Sequence, residues 1–165
     1  MDLNKYTWPI FTLLLTFLMC APLPNPDQDQ EPSDTNTKGE EVAVTKVEAA
    51  GSPGSYTFSV TLSSPDTGCD QYADWWEVFR ADSSLVYRRI LAHSHVNEQP
   101  FSRSGGPADI QEDEIVFIRG HMNNLGYGQQ IFKGSVKDGF VRDSLEKTYA
   151  TGLESTAPLP DDCAF

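Results

Sequence analysis

Across residues 42–137 the apolar positions recur with a period of two, which is the spacing of half-buried β-strands and not of a helix. Val42, Val44 and then Val47 predict a first strand, and Tyr56, Phe58, Val60 and Leu62 alternate with polar residues to predict a second. Ser64-Pro65-Asp66-Thr67-Gly68 carries strong turn chemistry and should end it. A third strand is expected from Asp74 to Arg80, a turn over Ala81-Asp82-Ser83-Ser84, and a fourth strand from Leu85 to about His95. Ser104-Gly105-Gly106-Pro107 reads as a further turn. Ile115 to Met122 and Gln130 to Val136 complete the strands, joined by a loop rich in Asn and Gly. Helical spacing shows only from Asp143, where the run DSLEKTYA is long enough for about two turns. Short strands with regularly placed turns predict an all-β fold, a single antiparallel β-sandwich, with a disordered N-terminal tether ahead of it and a C-terminal tail behind.

Length and charge bound this picture. The chain has 165 residues, enough for one ordinary domain plus flexible ends. Its net charge of −12 is uneven: residues 21–41 hold six acids against Lys38, and residues 138–165 hold six against Arg142 and Lys147. Acidity at the ends favours solubility and spacing. Nothing forms a basic stripe able to displace counterions from phosphates, so nucleic acid is not an expected partner.

The opening MDLNKYTW is followed by an apolar stretch, Ile10 to Met19, too short for a permanent bilayer anchor and suited to a signal-peptide core. Phe17-Leu18-Met19-Cys20 resembles the lipobox of bacterial lipoproteins. That resemblance implies a signal peptide over residues 1–19 and a lipid-modified Cys20 at the mature N-terminus. Residues 20–41 then form a Pro-rich acidic linker, kept extended by Pro22, Pro24, Pro26 and Pro32. The expected location is the cell envelope, with the membrane touched only through the lipid; plain secretion or export to the periplasm and an uncleaved anchor are the alternatives. With Cys20 taken by lipid, Cys69 and Cys163 remain as an even pair in an oxidising compartment, and a disulfide between them would staple the tail of residues 138–165 to the sandwich of residues 42–137. Two free thiols, or a pair including an unlipidated Cys20, are the alternatives.

The segment EIVFIRGHMNNLGYGQQIFKGSV, through Val116, Ile118, Arg119, Asn123, Gly126 and Gly128, resembles the sixth strand, loop and seventh strand of fibronectin type III domains. It implies an immunoglobulin or fibronectin type III-like sandwich in which the third strand lies between the fourth and the sixth. The runs GCDQYADWWEV and YRRILAHSHVNEQPFSRSGGP also resemble exported bacterial proteins of no established activity.

Candidate chemistry falls in three groups. His93 and His95 in H-x-H would face the same way on a strand, and His121 on another strand could complete a three-ligand zinc site, or a copper site assisted by Met122. The spacing resembles the zinc ligands of alpha-type carbonic anhydrases. Against it, a fibronectin-like order puts about 9.6 Å of sheet between the two strands that carry them. Trp75 and Trp76 are adjacent, so one should fill the core and the other stand on the outer face. There it could form a platform with Tyr72, Tyr87 or Tyr127, or lie under the stapled tail. Arg80, Arg88, Arg89, Arg103 and Arg119 form the third group, suited to pairing with Glu77 across strands or to binding an anion. Ser94 alternates away from the histidines, and no nucleophile motif or phosphate loop occurs. The composite expectation is an exported, lipid-anchored surface binding module with no cofactor and a protein or carbohydrate ligand. Its binding candidates are Trp75, Trp76, Tyr87, Arg89 and Arg119. The rival expectation is a small metalloprotein or zinc- or copper-dependent enzyme using His93, His95 and His121.

Overall fold

The computed structural model describes residues 40–164. Cys20 and the expected signal peptide, and all of the expected linker but its last two residues, lie outside the described residues. Among the described residues nine strands follow in chain order: β1 (Ala43–Ser52), β2 (Ser55–Ser63), β3 (Ala73–Phe79), β4 (Leu85–Ile90), β5 (Phe101–Ala108), β6 (Val116–Met122), β7 (Gly126–Tyr127), β8 (Gln130–Ser135) and β9 (Gly139–Ser144). A short 3-10 helix spans Thr151–Ser155. The strands form two antiparallel sheets packed as a sandwich, one ordered β1-β2-β5 and the other β4-β3-β6-β8-β9, with β7 paired to the end of β6. β3 therefore does lie between β4 and β6.

The period-two pattern places the core. Tyr56, Phe58, Val60 and Leu62 of β2 meet Trp76 and Val78 of β3 and Val116, Ile118 and Met122 of β6 between the sheets. The change of parity from Val44 to Val47 is a β-bulge: the register of β1 on β2 shifts between Val44 and Lys46. Asp66, inside the turn expected after β2, is buried and accepts bonds from Ser64 Oγ at 2.6 Å, Ala73 N at 3.0 Å and His95 N at 2.7 Å. Its carboxylate ties three stretches of loop together.

Three local expectations are corrected. Ser104-Gly105-Gly106-Pro107 lies inside β5 and is no turn. A Cβ on Gly105 would sit 2.6 Å from the Tyr87 hydroxyl oxygen, and one on Gly106 would sit 2.6 Å from the Tyr56 carbonyl oxygen, so these glycines permit close approach. β4 ends at Ile90, and residues 91–95 leave the sheet. The helix expected from Asp143 is absent: β9 runs through Ser144, and the segment expected wholly as tail first adds this strand to the larger sheet, its Phe140 ring 5.6 Å from that of Phe58. The four-residue spacing of Leu145 and Tyr149 serves another end, because both pack on the outer face of that sheet. No helix among the described residues is long and apolar enough to cross a membrane.

Candidate functional site

β3 alternates across the sheet. Trp76 and Val78 point into the core, while Trp75, Glu77 and Phe79 point outward, and β6 answers with Phe117, Arg119 and His121 on the same outer face. Glu77 is the direct cross-strand partner of Arg88 on β4 and of Arg119 on β6. Arg88 donates to Glu77 Oε2 through Nε at 2.9 Å and Nη2 at 2.5 Å, and Arg119 Nε donates to Oε1 at 2.8 Å. All three side chains are essentially fully buried.

Two guanidiniums on one carboxylate leave a surplus positive charge, which in a buried setting must be met by dipoles. The chain after β9 supplies them. Arg88 donates to the carbonyls of Leu153 at 2.7 Å, Thr156 at 2.6 Å and Pro158 at 3.0 Å. Arg119 donates to those of Tyr149 at 2.6 Å and Ala150 at 3.1 Å. Leu153, the buried residue of the 3-10 helix, fills the apolar gap beside Trp75 and Phe79. Farther on, Cys163 is bonded to Cys69, with Cα atoms 5.6 Å apart, and Ala164 N donates to the Ala92 carbonyl. The expected staple is present, and the segment it holds covers the face on which a binding platform was expected.

Each platform candidate has a definite place. Trp76 is wholly in the core, its ring 5.7 Å from that of Tyr87, and Tyr87 is half-buried. Trp75 is 4% exposed and lies between the Arg88 guanidinium, 4.5 Å from its ring centroid, and the imidazole of His121, stacked at 3.6 Å. Arg119 is buried, its guanidinium carbon 3.3 Å from the centroid of Tyr127. Burial first, then the Glu77 carboxylate, push the Tyr127 phenol well above its ordinary pKa. Tyr72, expected near the same face, is also buried, and burial followed by the nearby Asp74 raises its pKa. Of these side chains Tyr87 alone keeps a partly exposed surface. Arg89 alone among the five candidates is exposed.

The three histidines do not converge, which corrects the metal expectation. His121 Nδ1 donates to Asp74 Oδ1 at 2.7 Å, leaving Nε2 3.9 Å from Glu154 Oε1. It opens on a cavity of about 430 Å³ lined also by Asn124, Leu159 and Pro160. His93 and His95 sit beyond the end of β4, in cavities that His121 does not line, with ring centroids 4.6 Å apart. His95 stacks on Phe101 at 3.7 Å and is buried while His93 is exposed, so once the strand stops at Ile90 the H-x-H pair no longer sets two rings side by side on one sheet face. Among the described residues no three His, Cys, Asp or Glu side chains come together as a metal site. The Asp74 and His121 pair is an oriented imidazole, but no Ser, Thr or Cys lines its cavity to act as a nucleophile.

Sequence reasoning placed Glu77 among the arginines but missed its buried triad and the carbonyls that complete it. The signal available was an acid in the middle of the apolar run WWEVF, which has to be paired if buried. Asn123, singled out in the fibronectin-like motif, has a concrete use: its Oδ1 accepts from Tyr72 N at 3.0 Å and its Nδ2 donates to the Cys69 carbonyl at 2.9 Å. It fastens the disulfide loop to the end of β6.

The fold and its covalent link define a disulfide-stapled antiparallel sandwich domain whose larger sheet is roofed by its own C-terminal segment. The chain is 33% identical over 114 residues to a protein of Halomicrobium mukohataei named "Putative lipoprotein", an alignment that covers 69% of this chain and 56% of that protein. The chain thus spans little more than half the length of this relative. No family model matches the chain, and no solved structure matches it.

Proposed function

We propose that the protein is an exported lipoprotein, anchored through Cys20, that carries its sandwich on the Pro-rich linker as a surface binding module. Similarity to the Halomicrobium mukohataei protein carries this reading, since that protein is named as a lipoprotein. The Cys69 to Cys163 disulfide supports export, because such bonds persist in oxidising compartments. The position of β3 between β4 and β6 supports a fibronectin type III-like kind of sandwich, an architecture used widely in cell-surface domains. The ligand binds away from the outer face of the larger sheet, because residues 149–158 already occupy it.

Expression of the full chain with a labelled fatty acid tests the anchor. The native protein should take up label and partition with membranes, and Cys20→Ser should lose both. Unchanged membrane association of that variant would overturn the lipoprotein reading.

A further inference from the structure

The two sheets present their edge strands to one another on one side of the sandwich, β4 ending the larger sheet and β5 the smaller. Arg89 is the cross-strand partner of Trp76, and Arg103 is the partner of Val60. Directly opposed residues in a sheet project to the same face. Trp76 and Val60 lie in the core, so both arginines project inward at the seam between the sheets. One step along the seam Tyr87 closes the gap by packing on Gly105. At the arginines it stays open: a cavity of about 200 Å³ is lined by Arg89, Arg103, His93 and His95, together with backbone-rich Ala92 and the apolar Leu91.

That lining is unusual in a chain of net charge −12, because it holds cations and imidazoles and no acid. The nearest carboxylates are engaged. Glu98 accepts from both terminal nitrogens of Arg103, at 3.2 and 2.8 Å, and that bond holds its pKa below the usual carboxylate range. Asp66 is spent on Ser64, Ala73 and the backbone of His95. Arg89 makes no side-chain hydrogen bond or ion pair with a described residue. Most telling is His95: its side chain is 1% exposed, and neither ring nitrogen has a hydrogen-bond partner. Asp66 Oδ2 stands 3.8 Å from Nδ1, beyond bonding distance. A buried polar group left unpaired is costly and calls for a partner.

We propose that this seam is an oxyanion site, in which Arg89, Arg103, His93 and His95 bind the phosphate or sulfate group of a small soluble ligand. Arg89 supplies a planar fork of free donors matched to such a group, Arg103 its remaining N–H groups, and the two imidazoles donate from the side. Burial, then the positive charge of Arg103 and of His93, hold the His95 pKa below its ordinary value, while Asp66 and Glu98 oppose them more weakly. A bound anion would reverse that balance, so occupancy and protonation of His95 support each other. This deepens the binding-module reading and rests on it, but is independent of the lipid at Cys20.

The full chain, titrated with inorganic phosphate and with sulfate at constant ionic strength, tests the site by calorimetry and by the NMR titration of the His95 ring. Saturable binding and a raised His95 pKa are expected, with chloride giving neither. Arg89→Ala, at an exposed position that the fold does not need, should weaken binding by about tenfold or more, as loss of a charge-assisted bond implies. Arg89→Lys should recover part of it, and Lys46→Ala, a remote exposed cation, should change nothing. No effect of either anion on His95, or equal affinity of Arg89→Ala, would overturn the site. Attachment to phosphatidic-acid vesicles with no response to soluble phosphate would overturn it as well. None of these outcomes bears on membrane anchoring, which the Cys20→Ser experiment reads separately.

Discussion

Glu77 and Arg119 are 42 positions apart in the chain and directly opposite in the sheet, joined by a 2.8 Å bond from Nε to Oε1 with no solvent on either side. Arg88 completes the arrangement from β4, and the carbonyls of residues 149–158 complete both arginines. The ion-pair cluster thereby acts as the socket for the C-terminal segment. The tail is held by its backbone at one end and by a covalent bond at the other, and by side chains chiefly at Leu145, Tyr149, Ala150 and Leu153, which pack on the sheet.

Removing the centre of the socket leaves two buried guanidiniums without a counter-charge. Glu77→Ala should lower the unfolding free energy by about 3–5 kcal/mol, read from urea denaturation. Replacing Glu77, Arg88 and Arg119 together by apolar residues of similar volume should cost much less, since no uncompensated charge remains. Equal losses in the two variants would show that packing, not charge, dominates the site.

Reduction of the Cys69 to Cys163 bond opens a loop with a sequence separation of 94 residues. The chain-entropy relation puts its stabilisation at about 4 kcal/mol or a little more, as an upper figure. Cys69→Ser with Cys163→Ser should therefore lower the thermal midpoint. Hydrogen exchange should quicken over residues 156–164 first, while residues 149–153 stay protected by Leu153 and the Arg119 contacts.

Stability should fall on mild acidification because of His95. Its folded pKa lies below the ordinary 6.5 through burial and the charges of Arg103 and His93, so the unfolded chain takes up the proton first. The contribution is whole above the unfolded value, declines as pH drops through it, and levels off below the folded value. His95→Phe, which keeps a ring on Phe101, should flatten this part of the profile in phosphate-free buffer. An unchanged slope would assign it to another group.

Gly128 marks a close approach that no side chain tolerates. A Cβ there would lie 1.7 Å from the Val42 carbonyl oxygen, a backbone atom that cannot swing aside. Gly128→Ala should displace the start of the domain from β6 and β7 and cost at least about 1–3 kcal/mol. Gly152→Ala, with nothing within 4 Å of the added carbon, should be near neutral by the same unfolding measurement.

The strands were legible because their signal is local. Alternation in Tyr56 to Leu62 or Val116 to Met122 is imposed by the pleat itself, so burial on one face writes directly into the sequence. The Cys69 to Cys163 pairing was legible by counting, and the place of β3 by resemblance. What failed depended on partners distant in the chain. Gly105 and Gly106 look like a turn until Tyr87 and Tyr56 are seen to need their missing side chains. His93 and His95 look like ligands until β4 stops at Ile90. Leu145 and Tyr149 have helical spacing, yet pairing of Gln130–Ser135 with Gly139–Ser144 extends the chain instead. Trp75 and Arg119 read equally well as platform or as core, because a sequence records that a face is apolar or charged but not what lies against it. The sequence by itself therefore determined the existence of β1 to β4, β6 and β8, the core face of β2, and the cysteine count behind the staple. Only the tertiary structure decided that five carbonyls of the tail would balance a buried Arg-Glu-Arg row, because hydrogen bonds to backbone leave no trace in residue identity.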